Sequence, residues 1–269
     1  MINFEYHHYP VITESEMRDL EVQISISDDI IIGTDINKIV SCPIPTSLQL
    51  IKQNEVVNPL TVCHHRGNTY VGLGSGEVVK IDADDNSTPL FACGSTVLAI
   101  RAKGNSLFLL QNSIPLTVGV YDLNGNLTTS WNHNDSTNRW FHGARLVLIN
   151  DQVAVADRLK EQIVIYSESG IIIKQVPCPY ISDAIWSVMC EAGQNHIILT
   201  NYNQSKVFKL NLTSGEVEWT CTDIPNPEGV VCYGRDYVIV YSYTGPEGIW
   251  ILNQKTGKKV LRLMVFLCC

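Results

Sequence analysis

Residues 151–170, DQVAVADRLKEQIVIYSESG, contain two short apolar segments separated by a polar link. The segments VAVAD (153–157) and IVIYS (163–167) are rich in β-branched residues, and Ser169-Gly170 favours a turn. This pattern predicts two β-strands joined in a hairpin. An isolated hairpin is only marginally stable in water. The importance of this stretch therefore depends on whether the pattern recurs along the chain.

The pattern of apolar strand, polar link and apolar strand with a polar end recurs in five other segments. They are IIIGTDINKIVSC (30–42), TYVGLGSGEVVKID (69–82), LFLLQNSIPLTVGVYD (107–122), HIILTNYNQSKVFKLN (196–211) and YVIVYSYTGPEGIWILN (237–253). The spacing of roughly 40 to 45 residues is typical of four-stranded propeller blades. The sequence therefore predicts an all-β fold, a six-bladed β-propeller of four-stranded antiparallel blades.

The repeats predict a single propeller domain over residues 19–269, preceded by an N-terminal extension over residues 1–18. The predicted blades cover approximately residues 20–52, 59–93, 94–131, 140–176, 178–221 and 223–267. A chain of 269 residues with 45% hydrophobic residues is long enough for one large all-β domain. The apolar tail VLRLMVFLCC is too short to span a bilayer. We interpret it as the outer strand of the last blade.

Composition narrows the classes of partner and cellular location. The net charge of −8 argues against a nucleic-acid ligand, which requires a basic surface. The N-terminal residues lack the basic and apolar regions of a signal peptide, so we expect a cytoplasmic protein without a membrane anchor, despite five N-glycosylation sequons. The end Cys268-Cys269 resembles a double-cysteine prenylation signal, which we interpret as a chance match. No obligate oligomer is predicted.

The nine cysteines do not have the spacing of a zinc site. Most lie in or beside apolar strands, where free cysteine behaves as a small buried hydrophobic residue. We therefore expect reduced cysteines, no bound metal and no cofactor.

The segment QVAVADRLKEQIVIYSESG (152–170) resembles an NHL repeat, which reads apolar-Val-Ala-Asp, a polar link, Ile-apolar-Val-aromatic and a Gly turn. PEGVV (227–231) and the residues that follow it resemble the Pro-x-Gly-apolar inner strand of that family. The Ala-Asp pair is retained only at Ala156-Asp157, and the WD dipeptide of WD-repeat proteins is absent. The resemblance implies a six-bladed propeller like the C-terminal domain of tripartite-motif (TRIM-NHL) ubiquitin ligases, whose RING, B-box and coiled coil are not in this chain.

An alternative resemblance is to the six-bladed calcium-dependent lactonases and esterases. In those enzymes, oxygen atoms of Glu, Asn and Asp side chains hold the metal in the central channel. Where that family has Pro-Asn-Gly and a strand-ending Asp, this chain has Pro227-Glu228-Gly229 and Ser242. Asp35 and Asp157 are interpreted as turn or cap residues. No Ser-His-Asp arrangement stands out, so we predict no catalytic residues and a protein that is not an enzyme.

In a propeller, the links between second and third strands and the connections between blades lie on one face, where loops on a rigid scaffold can bind partners. The candidate binding residues on this face are Asp35, Asn112, Trp140, Arg158, Lys160, Tyr202, Asn203 and Tyr243. Trp140 and the adjacent Phe141 either dock a partner or pack beneath their loop. Aromatic residues and arginine favour a protein or peptide ligand. The TRIM-NHL resemblance implies substrate recognition for a ubiquitin ligase.

Overall fold

The computed structural model describes residues 4–5, 59–84, 86–133, 146–158, 160–181, 189–193, 195–242, 248–264 and 266–267. The larger sheets in this part of the chain are five four-stranded antiparallel sheets in which the strands follow one another in chain order. The all-β propeller of four-stranded antiparallel blades is therefore confirmed. The described residues form five blades where six were predicted. The first predicted blade, residues 20–52, lies outside them.

The strands are numbered in chain order, beginning with β1 (Phe4–Glu5). The first described blade consists of β2 (Pro59–His65), β3 (Asn68–Leu73), β4 (Glu77–Ile81) and β5 (Ser87–Ala92). The second consists of β6 (Val97–Lys103), β7 (Ser106–Gln111), β8 (Leu116–Asp122) and β9 (Leu127–His133). The third consists of β10 (Leu146–Ile149), β11 (Gln152–Asp157), β12 (Gln162–Ser167) and β13 (Ile172–Pro177).

The fourth described blade follows a 3-10 turn at Pro179–Ile181. It consists of β14 (Met189–Glu191), β15 (His196–Asn201), β16 (Lys206–Asn211) and β17 (Val217–Cys221). The fifth consists of β18 (Pro227–Tyr233), β19 (Tyr237–Ser242), β20 (Gly248–Asn253) and β21 (Lys259–Met264). The apolar tail was predicted to be one outer strand, but it forms two. β21 completes the fifth blade, and β22 (Phe266–Leu267) pairs with β1.

Burial is highest in the middle strands of each blade because both of their faces pack against neighbouring blades. In β11 every residue from Val153 to Asp157 is buried, whereas β13 on the outside exposes all of its residues except Val176. Buried clusters join the first blade to the second, the second to the third, the third to the fourth and the fourth to the fifth. The cores therefore lie between blades. In the part of the chain that the structure describes, no helix is long and apolar enough to cross a membrane.

The polar residue that ends, or directly follows, the third strand of every described blade is a turn cap. Its side chain accepts hydrogen bonds from backbone N–H groups of the following turn, which replaces ladder bonds that the chain loses on reversing direction. The capping residues are Asp82, Asp122, Ser167, Asn211 and Asn253. This capping explains why the sequence pattern ends each repeat in a polar residue.

A β-bulge recurs between the third and the outer strand of every described blade. One residue of the outer strand is left out of the ladder in each pair, at the second residue of that strand in four blades and two residues further from the turn in the first described blade. The bulged residues are Leu90, Thr128, Ile173, Glu218 and Val260. A bulge twists an edge strand and makes it a poorer template for pairing. The outer edges of the blades are therefore protected against pairing with strands of other molecules.

Candidate functional site

We define the link face as the edge of the propeller formed by the links between second and third strands and by the connections between blades. Hydrogen bonds join these segments to one another. The Thr96 hydroxyl, in the connection from the first to the second blade, donates to Gly74 O at 2.9 Å, and Asn112 N donates to Thr96 O at 2.8 Å. One connection thus fixes the links of two consecutive blades.

The same arrangement continues around the link face. Cys178 N donates to Glu161 O at 2.6 Å, so the link of the third blade is bonded to the connection that follows it. The Asn201 side chain donates to Tyr180 O at 2.7 Å. In the fifth blade, the Ser242 hydroxyl donates to Pro225 O. Because the loops are bonded to neighbouring segments, the link face is largely preorganised for binding.

Asp157, in the stretch 151–170, caps the link of the third blade. Its side chain is 2% exposed, and its carboxylate accepts hydrogen bonds from Lys160 N at 3.1 Å and from the Gln162 side chain at 3.4 Å. Asn201 does the same one blade later, because its side-chain oxygen accepts from Gln204 N at 3.0 Å. The interpretation of Asp157 as a cap is confirmed. Asp35 lies outside the described residues.

Five of the eight predicted binding residues lie on the link face, each within three residues of the end of the second strand of its blade. They are Asn112, Arg158, Lys160, Tyr202 and Asn203. Asp35, Trp140 and Tyr243 lie outside the described residues, as does Phe141. Placement on one face is a consequence of the antiparallel order of strands. The binding role of these residues remains a prediction.

The five placed residues differ in exposure. Lys160 and Asn203 are exposed, whereas Asn112, Arg158 and Tyr202 are half-buried. The Lys160 ammonium lies 3.9 Å from an Asp157 carboxylate oxygen, a long contact that contributes little when one partner is exposed. The Lys160 side chain therefore remains able to contact a ligand.

The structure also contains a central cavity that the sequence analysis did not identify. Its volume is about 940 Å³, and it is lined by the inner strands β2, β6, β10, β14 and β18 of all five described blades. Most of its wall is apolar. The polar and charged residues among those that line it are Thr61, Cys63, His64, Arg101, Cys190, Glu191 and Glu228. The sequence feature that could have indicated this cavity is Arg101, because it is a charged residue within an otherwise apolar part of β6.

The charged side chains of the residues that line the central cavity do not pair with one another. Arg101 donates to the carbonyl oxygens of Ile100 at 2.7 Å and Met189 at 3.4 Å, and burial lowers the pKa of its guanidinium. Burial also raises the pKa of Glu191 and of Glu228. Within the described residues, these three side chains do not form ion pairs with one another. The cavity therefore lacks a hydrogen-bonded acid–base pair among the residues that line it.

The described ranges contain no group of three or more His, Cys, Asp or Glu side chains placed to hold a metal ion. The six cysteines within these ranges are free thiols and are buried or half-buried. Burial raises the pKa of Cys63 to about 11 and that of Cys178 to about 12, so these two thiols remain protonated at neutral pH.

Comparison with solved structures confirms the fold. The chain is similar to virginiamycin B lyase from Staphylococcus aureus, with 12% identity, a TM-score of 0.59 and coverage of 80% of this chain and 71% of that one. It is also similar to the Pan2 WD40 domain of Neurospora crassa, with 9% identity, a TM-score of 0.59 and coverage of 76% and 65%. For the WD40 β-propeller domain of Doa1, the identity is 11%, the TM-score 0.57 and the coverage 76% and 67%.

These identities establish a shared fold alone. The chain spans less than two thirds of the Pan2 chain and 61% of the computationally designed Ika8 chain, which it also matches in structure. No protein-family model and no curated protein matches the sequence. The similarity to NHL repeats therefore remains a resemblance of residues 152–170 and 227–258.

Proposed function

We propose that this chain is a non-catalytic propeller that binds a protein or peptide through its link face. The observation that carries the proposal is the hydrogen-bonded order of that face, which holds Arg158 and Tyr202 in links of consecutive blades. Arginine and tyrosine dominate the energetics of protein interfaces because they combine large contact area with polar groups. Lys160 and Asn203 add exposed polar groups to the same links.

The acidic composition supports a protein ligand over a nucleic acid, because a net charge of −8 opposes binding to phosphates. The proposed location is the cytoplasm. The finer proposal, substrate recognition for a ubiquitin ligase, rests on the NHL-like segment 152–170. It requires that a ligase component be among the proteins that bind the link face.

The test is affinity capture from a lysate of the source cells with the wild-type chain and with the double variant Arg158→Ala, Tyr202→Ala. We expect the double variant to lose at least 10-fold in recovery of its specific partners, because truncating two interface hot spots costs about 2 kcal/mol or more. Equal thermal midpoints of the two proteins establish that the variant is folded.

A matched control places the same two changes on the opposite edge. Tyr233 ends β18 and Arg235 lies in the turn to β19, so Tyr233→Ala, Arg235→Ala alters a half-buried tyrosine and an exposed arginine away from the link face. This control is expected to retain the partners. Retention of every partner by the Arg158, Tyr202 variant would show that the proposed face is wrong.

A further inference from the structure

Two thiols from consecutive blades are in contact beside the central cavity. Cys190 in β14 and Cys232 in β18 have their sulfur atoms 3.5 Å apart, although the residues are 42 positions apart in the chain. Cys190 is buried and lines the cavity, and Cys232 is half-buried. In the part of the chain that the structure describes, the other cysteines have no such sulfur–sulfur contact.

The surroundings of the pair include a further hydrogen-bond donor. The hydrogen bond with Cys232 and, after it, burial raise the pKa of Cys190. Either sulfur can be the donor in the hydrogen bond between Cys190 and Cys232. The Gln254 amide also lies 3.5 Å from the Cys232 sulfur as a donor. The thiolate is the form of either cysteine that reacts with oxidants.

The environments of other thiols differ. The Cys93 sulfur donates to the carbonyl oxygens of Gly76 at 3.1 Å and Ser95 at 3.3 Å, contacts that stabilise its protonated form. Cys221 likewise donates to the carbonyl oxygen of Thr222. The Cys190–Cys232 pair instead places two thiols within reach of each other.

We propose that Cys190 and Cys232 form a reversible oxidation site, at which hydrogen peroxide produces a disulfide that joins the fourth and fifth described blades. The oxidant must be small because the pair lies among packed side chains. The two sulfurs need to approach by about 1.5 Å to reach a disulfide bond length of about 2.05 Å.

The reaction proceeds in two balanced steps. One of the two cysteines, as its thiolate, attacks one peroxide oxygen, so an S–O bond forms, the O–O bond breaks and the leaving hydroxide takes a proton to become water. The other cysteine then loses its proton and attacks the oxidised sulfur. The S–S bond forms, the S–O bond breaks and a second water leaves. Together, two thiols and one hydrogen peroxide give one disulfide and two waters, and a dithiol reductant reverses the change.

The test uses the full chain, fully reduced, treated with hydrogen peroxide and then alkylated. Cleavage after Glu and after aromatic residues separates the two cysteines from all others, because Cys190 falls in SVMCE (187–191) and Cys232 in GVVCY (229–233). We expect these two peptides to be recovered as one disulfide-linked species after oxidation and as separate alkylated peptides after reduction. Mapping the wild-type chain requires no variant to fold.

Variants test the assignment of partners. Cys190→Ser is expected to remove the linked species, whereas Cys178→Ser, at another buried cysteine, is expected to leave it unchanged. The proposal would be overturned if both peptides remained fully alkylated after peroxide treatment. It would also be overturned if either cysteine were linked to another one, or if Cys232 were oxidised to its sulfinic acid without linkage.

Discussion

Replacing Gly257 with alanine is expected to lower the free energy of unfolding by about 2–5 kcal/mol. Gly257 lies in the turn after β20 with φ +68, and an added Cβ would lie 2.5 Å from Cε3 of Trp219 in the preceding blade. Trp219 cannot easily move, since its ring is buried and its Nε1–H donates to Gln254 O at 2.9 Å. The left-handed backbone costs about 1–2 kcal/mol for alanine, and overpacking adds about 1–3 kcal/mol.

Gly215 is the matched control, because it occupies the corresponding turn of the fourth blade. Its φ is +79, but a Cβ there would meet only Val176 Cγ1 at 3.5 Å, an ordinary contact. Gly215→Ala should therefore lose only the backbone contribution of about 1–2 kcal/mol. Chemical denaturation of both variants measures the difference. Equal losses would contradict the close packing of Gly257 on Trp219.

Replacing Ile163 with alanine is expected to destabilise the propeller by about 2–5 kcal/mol. Ile163 in β12 is fully buried and belongs to the same cluster as Phe208 and Leu210 of the fourth blade. Removing its side chain leaves a cavity between two blades that the surrounding strands cannot fill completely.

Ile172→Ala provides the comparison for Ile163→Ala. Ile172 belongs to the same blade but lies in the outer strand β13 with 53% of its surface exposed. Its replacement should change the free energy of unfolding by no more than about 0.5 kcal/mol. Similar losses in the two variants, measured by denaturant unfolding, would show that the third and fourth blades do not share the described core.

The parts of the fold that depend on local chemistry could be predicted from the sequence. Strand alternation and turn residues act within about ten positions, so the hairpin at 151–170 and polar ends such as Asp122 and Asn211 were visible. The fold class followed from their repetition. The capping role of Asp157 was also predictable, because an Asp side chain at the end of a strand commonly accepts hydrogen bonds from backbone N–H groups of the following link.

Contacts between blades were not predictable, because they join residues tens of positions apart and many apolar pairs would fit equally well. The sequence did not indicate that Cys190 would meet Cys232, or that Arg101 would face a cavity shared by five blades. Only the assembled ring of strands defines these features.

The central claim is that the link face, rather than the opposite edge, binds the protein partner. Hydrogen exchange of the chain with and without its captured partner tests it most directly. The account predicts slower exchange in the partner complex for the links 158–161 and 202–205, and unchanged exchange for the opposite turns 234–236 and 254–257. Protection confined to those opposite turns, with the links unaffected, would contradict it.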